Sequence, residues 1–130
     1  MASKKESEIT VVACYPGKSA EVVTIQNTLE AKQALVGGYI QAVYPFEDSV
    51  AIVCNEEGKL NGLELNRALY DEQGNIYDVI AGAFFICGLG DDEFTSLTEE
   101  QQKTYLALYR HPQMFIRLNG EIMAIPLEVD

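Results

Sequence analysis

Two runs of the sequence are apolar at every position, and they constrain the fold more than any other feature. The first covers residues 50–54, and the second covers residues 79–88, VIAGAFFICG. A strand with one face in water alternates apolar and polar residues, so an unbroken apolar run predicts a strand that is covered on both faces. Gly82, inside the second run, predicts a bulge or a close backbone approach.

The other elements are predicted from cap and turn signals around these strands. In chain order they are a hairpin over residues 9–25, a helix that begins at NTLE (27–30) and ends at Gly37, a second hairpin from 39–46 and 50–55, a polar turn at 70–78, a helix that begins at SLTE (96–99) and stops before Pro112, and a hairpin at 114–127 around Asn119-Gly120. Strands and helices in this order predict an α+β fold, with a mostly antiparallel sheet and two main helices.

The chain of 130 residues has the length of a single domain. Residues 1–8, MASKKESE, lack an apolar segment and are predicted to be a solvated tail, so the domain is expected to span residues 9–130. No apolar run reaches the ~18 residues that a membrane-spanning helix needs, so no membrane partner is expected.

The three cysteines lie within apolar, strand-like runs and form no CxxC pair. This placement favours free, buried thiols and a reducing compartment. A metal site needs clustered ligands, and with one histidine and scattered cysteines no metal site and no cofactor are predicted.

The net charge of −11 comes from 20 acidic and 9 basic residues. Such a surface repels phosphate backbones, so direct nucleic-acid binding is not expected. The charge has two interpretations. It either keeps the protein soluble, or it imitates DNA and so occupies a host protein that binds DNA.

Motifs of enzyme families are absent from the sequence, which has no GxGxxG and no complete phosphate-binding loop. His111 is the only histidine, and no local pattern supplies the nucleophile and orienting partner of a triad. The sequence therefore favours a binding protein over an enzyme. Catalysis on a small metabolite through Glu56, Glu57 or Asp78 stays an alternative.

The segment NEEGKLNGLELNR, residues 55–67, is the densest polar stretch after a buried strand. Amides beside a lysine and an arginine offer donors, acceptors and positive charge to an anionic small molecule. Two glycines and a tyrosine after the first helix are expected to form the facing wall, where the ring can stack on a ligand. The candidate ligand-binding residues are Gly37, Gly38, Tyr39, Asn55, Glu56, Gly58, Lys59, Asn66 and Arg67.

The strings LVGGYI, NEEGK, LNRAL, DVIAG and SLTEEQ follow one another in the order found in the domain of unknown function 3846 family, which this chain resembles over about residues 9–115. The hairpin at 114–127 is less typical of the family. The resemblance implies a small phage, prophage or plasmid protein that is located in the bacterial cytoplasm. It also implies that seven of the candidate residues form the family's recurring motif, namely Gly37, Gly38, Asn55, Glu56, Gly58, Lys59 and Asn66.

We therefore expect a small mobile-element protein that binds an anionic, nucleotide-type ligand and so sequesters a host immune signal. The first alternative is an acidic inhibitor or DNA mimic that binds a host defence protein, and the second is the small-molecule enzyme. Because the C-terminal hairpin is apolar and offers free strand edges, we also expect a homodimer.

Overall fold

A computed structural model describes residues 7–128 of the chain. Residues 1–6 of the predicted tail lie outside the described residues, while Glu8 already belongs to the first strand. The elements are β1 (Glu8–Cys14), β2 (Glu21–Gln26), α1 (Leu29–Val36), β3 (Ile40–Val43), β4 (Val50–Asn55), β5 (Leu65–Tyr70), β6 (Ile76–Ala81), β7 (Phe84–Leu89), β8 (Phe94–Thr95), α2 (Glu99–Leu108), β9 (Gln113–Leu118) and β10 (Glu121–Pro126).

The main sheet has the order β2-β1-β7-β4-β3, with β8 paired to β7, and all of its pairs are antiparallel. Strands β5 and β6 form one two-stranded sheet, and β9 and β10 form another. The α+β class with a mostly antiparallel sheet and two helices is confirmed.

Both faces of the main sheet are buried, as the unbroken apolar runs predict. One face packs with Val36 of α1. The other packs against Leu69 of β5, Ile80 of β6, and Tyr105 and Tyr109 around α2. The central strands β4 and β7 therefore bury residues on both sides.

The apolar run at 79–88 was wrongly predicted as one strand. It is divided between β6 and β7, which belong to different sheets. The strand conformation is interrupted at Gly82, where φ is +82° and a Cβ atom would lie 2.7 Å from a carbon of Leu63. The close approach predicted at this glycine is confirmed, and it marks the change of sheet.

Three further boundaries differ from the sequence predictions. The helices are capped by Thr28 and Thr98 rather than by the first residues of NTLE and SLTE. Ser96 instead accepts the backbone N–H of Thr10 through its hydroxyl oxygen. The polar turn predicted at 70–78 covers only residues 71–75, because β5 and β6 extend into it from either side.

The C-terminal hairpin forms as predicted. Asn119 and Gly120 both have positive φ, 53° and 82°, which the two central residues of a type I′ turn require. Within residues 7–128, no helix is long and apolar enough to cross a membrane.

Candidate functional site

Asn55, the last residue of β4, is buried, and it joins the end of α1 to the loop that follows β4. Its Nδ2 donates to the carbonyl of Val36 at 3.2 Å, and its Oδ1 accepts the N–H of Glu57 at 2.8 Å. The carbonyl is one of those that a helix C-terminus leaves without an intrahelical partner. Asn55 is therefore held rigidly, and the groups that hold it are backbone groups of the protein.

The two glycines after α1 have separate structural roles. Gly37 is the left-handed cap of the helix, with φ at +81°. Gly38 allows the close approach of Asn55, because a Cβ atom at this position would lie 2.8 Å from its Nδ2. Gly58 allows another close approach, because a Cβ atom at this position would lie 2.6 Å from the carbonyl oxygen of Ala81.

Lys59 does not provide the free positive charge that was expected of it. It forms an ion pair with Asp78, and both side chains are largely exposed. Its surroundings, a cavity of about 190 Å³, also include Glu56 and Glu57. Three carboxylates against one lysine make this part of the predicted site net acidic, so it disfavours an anion.

The candidate residues do not meet around one pocket. Gly37, Gly38 and Tyr39 line a cavity of about 570 Å³ together with Asn55 and the carboxylate-bearing Glu30 and Glu57. Glu56, Gly58 and Lys59 line the smaller cavity beside Asp78. Asn55 lies between the two cavities and lines both. The predicted facing walls are therefore the walls of two separate, acidic cavities.

Asn66 and Arg67 lie in the core, away from both cavities, which corrects their predicted place in the same wall. The Nδ2 of Asn66 donates to the carbonyls of Cys14 and Gly82 at 3.0 and 2.9 Å. Its Oδ1 accepts from Nη1 of Arg67 at 2.7 Å. Asn66 thus ties the end of β1 to the break between β6 and β7 and also fixes the guanidinium.

Arg67 is 1% exposed, and its charge has no carboxylate partner among residues 7–128. Its Nη2 donates to the carbonyls of Lys18 and Tyr109, each at 2.7 Å. Because Tyr109 caps α2, the guanidinium lies at the negative end of that helix dipole, which compensates part of its charge. Burial lowers the pKa of Arg67.

The Nε of Arg67 is the one buried side-chain nitrogen or oxygen in residues 7–128 that has no hydrogen-bond partner. An unpaired donor in the core costs about 1–3 kcal/mol, more for a charged group. Arg67 also lines a cavity of about 340 Å³. The full lining is Pro45, Phe46, Arg67, Ala68, Leu69, Tyr70, Leu108, Tyr109, His111, Gln113 and Pro126. We call this space the Arg67 cavity.

The rim of the Arg67 cavity is ordered by Gln113, the first residue of β9. Its Oε1 accepts the N–H of Ala68 at 2.8 Å, and its Nε2 donates to the hydroxyl of Tyr70 at 2.9 Å. His111 lies beside them, with Nδ1 at 3.2 Å from the carbonyl of Leu127. Unlike the two acidic cavities, the Arg67 cavity has no aspartate or glutamate among the described residues that line it.

Of the residues around this cavity, sequence reasoning had named only Arg67 as a ligand-binding candidate. His111 was considered only as a catalytic residue, Phe46 and Tyr70 were predicted in a strand and a turn, and Gln113 was predicted in no element. One signal was present in the sequence. Asn66 and Arg67 lie between apolar residues in the string LNRALY, which holds no acidic residue that could pair with the charge.

The fold and this cavity define the protein as a small α+β domain with one carboxylate-free, aromatic-walled cavity among those described above. The family model described as "Domain of unknown function (DUF3846)" matches residues 9–110, and the chain belongs to this family. Hairpin β9–β10, which supplies Gln113 and Pro126, lies beyond the matched residues. No curated protein and no solved structure matches the chain.

Proposed function

We propose that this protein binds a small anionic ligand of the nucleotide type in the Arg67 cavity. The observation that carries the proposal is the buried guanidinium of Arg67, which belongs to the lining of the cavity and has no carboxylate partner among the described residues. A buried charge is stabilised strongly by an opposite charge or by an acceptor that completes its hydrogen bonds. An anion bound in the cavity supplies the opposite charge.

The size and lining of the cavity favour a mononucleotide-sized molecule over a larger one. Its volume of about 340 Å³ lies near the lower limit of the roughly 300–1,000 Å³ found for small-molecule sites. Rings of Phe46, Tyr70 and Tyr109 and two prolines form apolar walls, while Gln113 and His111 add a few polar groups. Apolar walls with few fixed polar groups are typical of ligand sites.

Binding without chemical change is the activity that we propose for the site. Its lining holds no carboxylate, so His111, the one candidate general base there, has no carboxylate in the lining to orient it. The role proposed for such binding is to sequester a nucleotide-type signal of the host immune system, in a bacterial cytoplasm. The three buried free cysteines support a reducing compartment.

The first experiment is native mass spectrometry of the purified protein, followed by titration with the four ribonucleoside 5′-monophosphates. We expect at least one of them to bind with a dissociation constant below roughly 1 mM. If none of the four binds at that level and no small anion is retained through purification, the proposed function is wrong.

A charge reversal at the mouth tests whether the cavity is the site. Leu108 lines the cavity and is 54% exposed, so Leu108→Glu and Leu108→Lys should both fold. One charge at the mouth should change the binding free energy by about 1 kcal/mol, which weakens binding roughly fivefold for glutamate and strengthens it similarly for lysine.

The matched control is Leu29, a helix residue that is 55% exposed and does not line this cavity. Leu29→Glu and Leu29→Lys add the same charges elsewhere and should leave the affinity within about twofold. Equal effects at both positions would mean that net charge, and not the cavity, controls binding.

A further inference from the structure

Hairpin β9–β10 borders the Arg67 cavity but takes no part in the core. Gln113 of β9 and Pro126 of β10 belong to the lining of the cavity. Neither of the two buried clusters that cover the faces of the main sheet includes a residue of the hairpin. Within its strands, Gln113–Leu118 and Glu121–Pro126, no residue is buried. A two-stranded hairpin alone is only marginally stable in water, so this one depends on its contacts with the rest of the chain.

Those contacts are few, and they lie at the base of the hairpin. The two strands pair with each other and with no other described strand. Gln113 makes the only hydrogen bonds that join residues 113–126 to the other described residues. Its Oε1 accepts the N–H of Ala68 at 2.8 Å, and its Nε2 donates to the hydroxyl of Tyr70 at 2.9 Å. Because Gln113 pairs with Pro126, the first and last residues of the hairpin are the ones that are attached to β5.

Away from its base, the hairpin leaves open space above β6. A cavity of about 950 Å³ is lined by Ile122 and Ala124 of β10 and by Tyr77 and Val79 of β6. Tyr70 lines this cavity and the Arg67 cavity as well. The apolar side chains of β10 and β6 therefore border a common space instead of forming a buried cluster.

We propose that hairpin β9–β10 is a lid, which opens as a unit and closes the Arg67 cavity over its ligand, and that the side chain of Gln113 holds it closed. Segments with few buried apolar contacts open at a lower free energy than the core of a protein. Closure of a lid excludes water from a bound ligand and retains it. The inference rests on the proposed function for what the lid encloses, whereas the opening is a property of the free protein.

The backbone N–H of Ala68 reports on the lid, because its acceptor is the side chain of Gln113. Ile86, in the centre of the main sheet, is fully buried and should exchange its amide hydrogen only through global unfolding. Native-state hydrogen exchange followed by NMR measures both amides in one sample. After correction for intrinsic rates, we expect Ala68 to exchange about a hundredfold faster than Ile86, or more, while the β5 amides that pair with β6 stay protected.

Two results in the free protein would overturn the lid. If Ala68 exchanges as slowly as Ile86, the hairpin does not open apart from global unfolding. If the β5 amides that pair with β6 exchange as fast as Ala68, the two-stranded sheet β5–β6 opens and the hairpin is not the moving part.

Tyr70→Phe loosens the lid without removing the acceptor of the Ala68 amide. It removes one neutral hydrogen bond from Gln113, so exchange at Ala68 should rise about threefold. Tyr77→Phe is the matched control, since Tyr77 is 55% exposed against 48% for Tyr70, lies on the neighbouring strand β6 and does not bond to Gln113. Equal exchange rates at Ala68 in the two variants would refute the role of Gln113.

Ligand binding gives the second test, with the four ribonucleoside 5′-monophosphates as probes. At ten times its dissociation constant, a monophosphate that only the closed form retains should slow exchange at Ala68 about elevenfold. If a monophosphate binds and exchange at Ala68 is unchanged, the lid is refuted while the proposed function stands. If none of the four binds, the proposed function fails, and the exchange rates of the free protein decide by themselves whether the hairpin opens.

Discussion

Gly38 is the position at which one added methyl group should have the most specific effect. Its backbone lies outside the left-handed region, so alanine brings no conformational strain there. The added Cβ would lie 2.8 Å from Nδ2 of Asn55 and would push this amide from its place. The amide would then lose the carbonyl of Val36 and the N–H of Glu57, two contacts at a buried position.

We expect Gly38→Ala to lower the free energy of unfolding by about 2 kcal/mol, since two hydrogen bonds are each worth about 1 kcal/mol net. Asn55→Ala should cost about 2–3 kcal/mol for the same reason, because it leaves both backbone groups unpaired. In the Asn55→Ala background, the three atoms nearest to the methyl group of Gly38→Ala are absent. This methyl group should then cost less than about 0.5 kcal/mol, or even stabilise the protein by reducing the entropy of the unfolded chain.

The measurement is urea unfolding followed by circular dichroism for both single variants and the double variant. The expected coupling energy between the two positions is about 2 kcal/mol. Gly17→Ala is the control, because that glycine has φ of +77° with nothing within 4 Å of an added Cβ. It should cost about 1–2 kcal/mol of left-handed strain and show no coupling to Asn55. Additive costs for Gly38→Ala and Asn55→Ala would refute the steric argument.

Three further predictions concern other parts of the molecule. Asp48 accepts the hydroxyl of Tyr105, and this bond holds the pKa of that carboxyl below its usual value. The stability it gives is therefore present at neutral pH and is lost as pH falls through the folded-state pKa, so the stability difference between the wild type and Tyr105→Phe should shrink on acidification in pH-dependent melting curves. All three cysteines are buried and free, so thiol titration should find little reaction in the native state and three groups after denaturation. The hairpin β9–β10 exposes an apolar face, and we expect this face to form a homodimer that Ile116→Lys weakens. Val22→Lys is the control and should leave the dimer intact, since Val22 is 40% exposed and Ile116 is 39% exposed. Sedimentation that shows only a 14.4 kDa species at high concentration would contradict this prediction.

The sequence predicted the fold well where a local signal and the tertiary structure agree. The turn at Asn119-Gly120 requires positive φ at both positions, and few residue pairs other than Asn-Gly provide it so readily. The division of residues 79–88 between two sheets could not be predicted in this way. Periodicity reports that both faces of a run are buried, but it does not report against what, and Gly82 is compatible with a bulge, a bend or a break.

The candidate site was predicted less well, because polar side chains were assigned to a ligand when the backbone needs them. Asn55 serves the end of α1, Asn66 serves the ends of β1 and β6, and Arg67 serves the end of α2 and a turn. Sequence spacing cannot show these contacts, since Asn66 and Cys14 are 52 positions apart.

These contacts explain three of the polar residues in the segment 55–67, namely Asn55, Asn66 and Arg67. Each place where the chain leaves a helix or a sheet leaves carbonyls without a regular partner, and a buried carbonyl without a partner is costly. The side chains of Asn55, Asn66 and Arg67 reach such carbonyls. They replace hydrogen bonds that the irregular connections lose.

Asn66 orients the guanidinium of Arg67 without neutralising it, because an amide carries no charge. Four N–H groups of Arg67 are used in this way, and the fifth, at Nε, has no hydrogen-bond partner among the described residues. Backbone carbonyls that need a donor thus account for a buried positive charge in a chain of net charge −11. We expect the ligand to bind beside that charge.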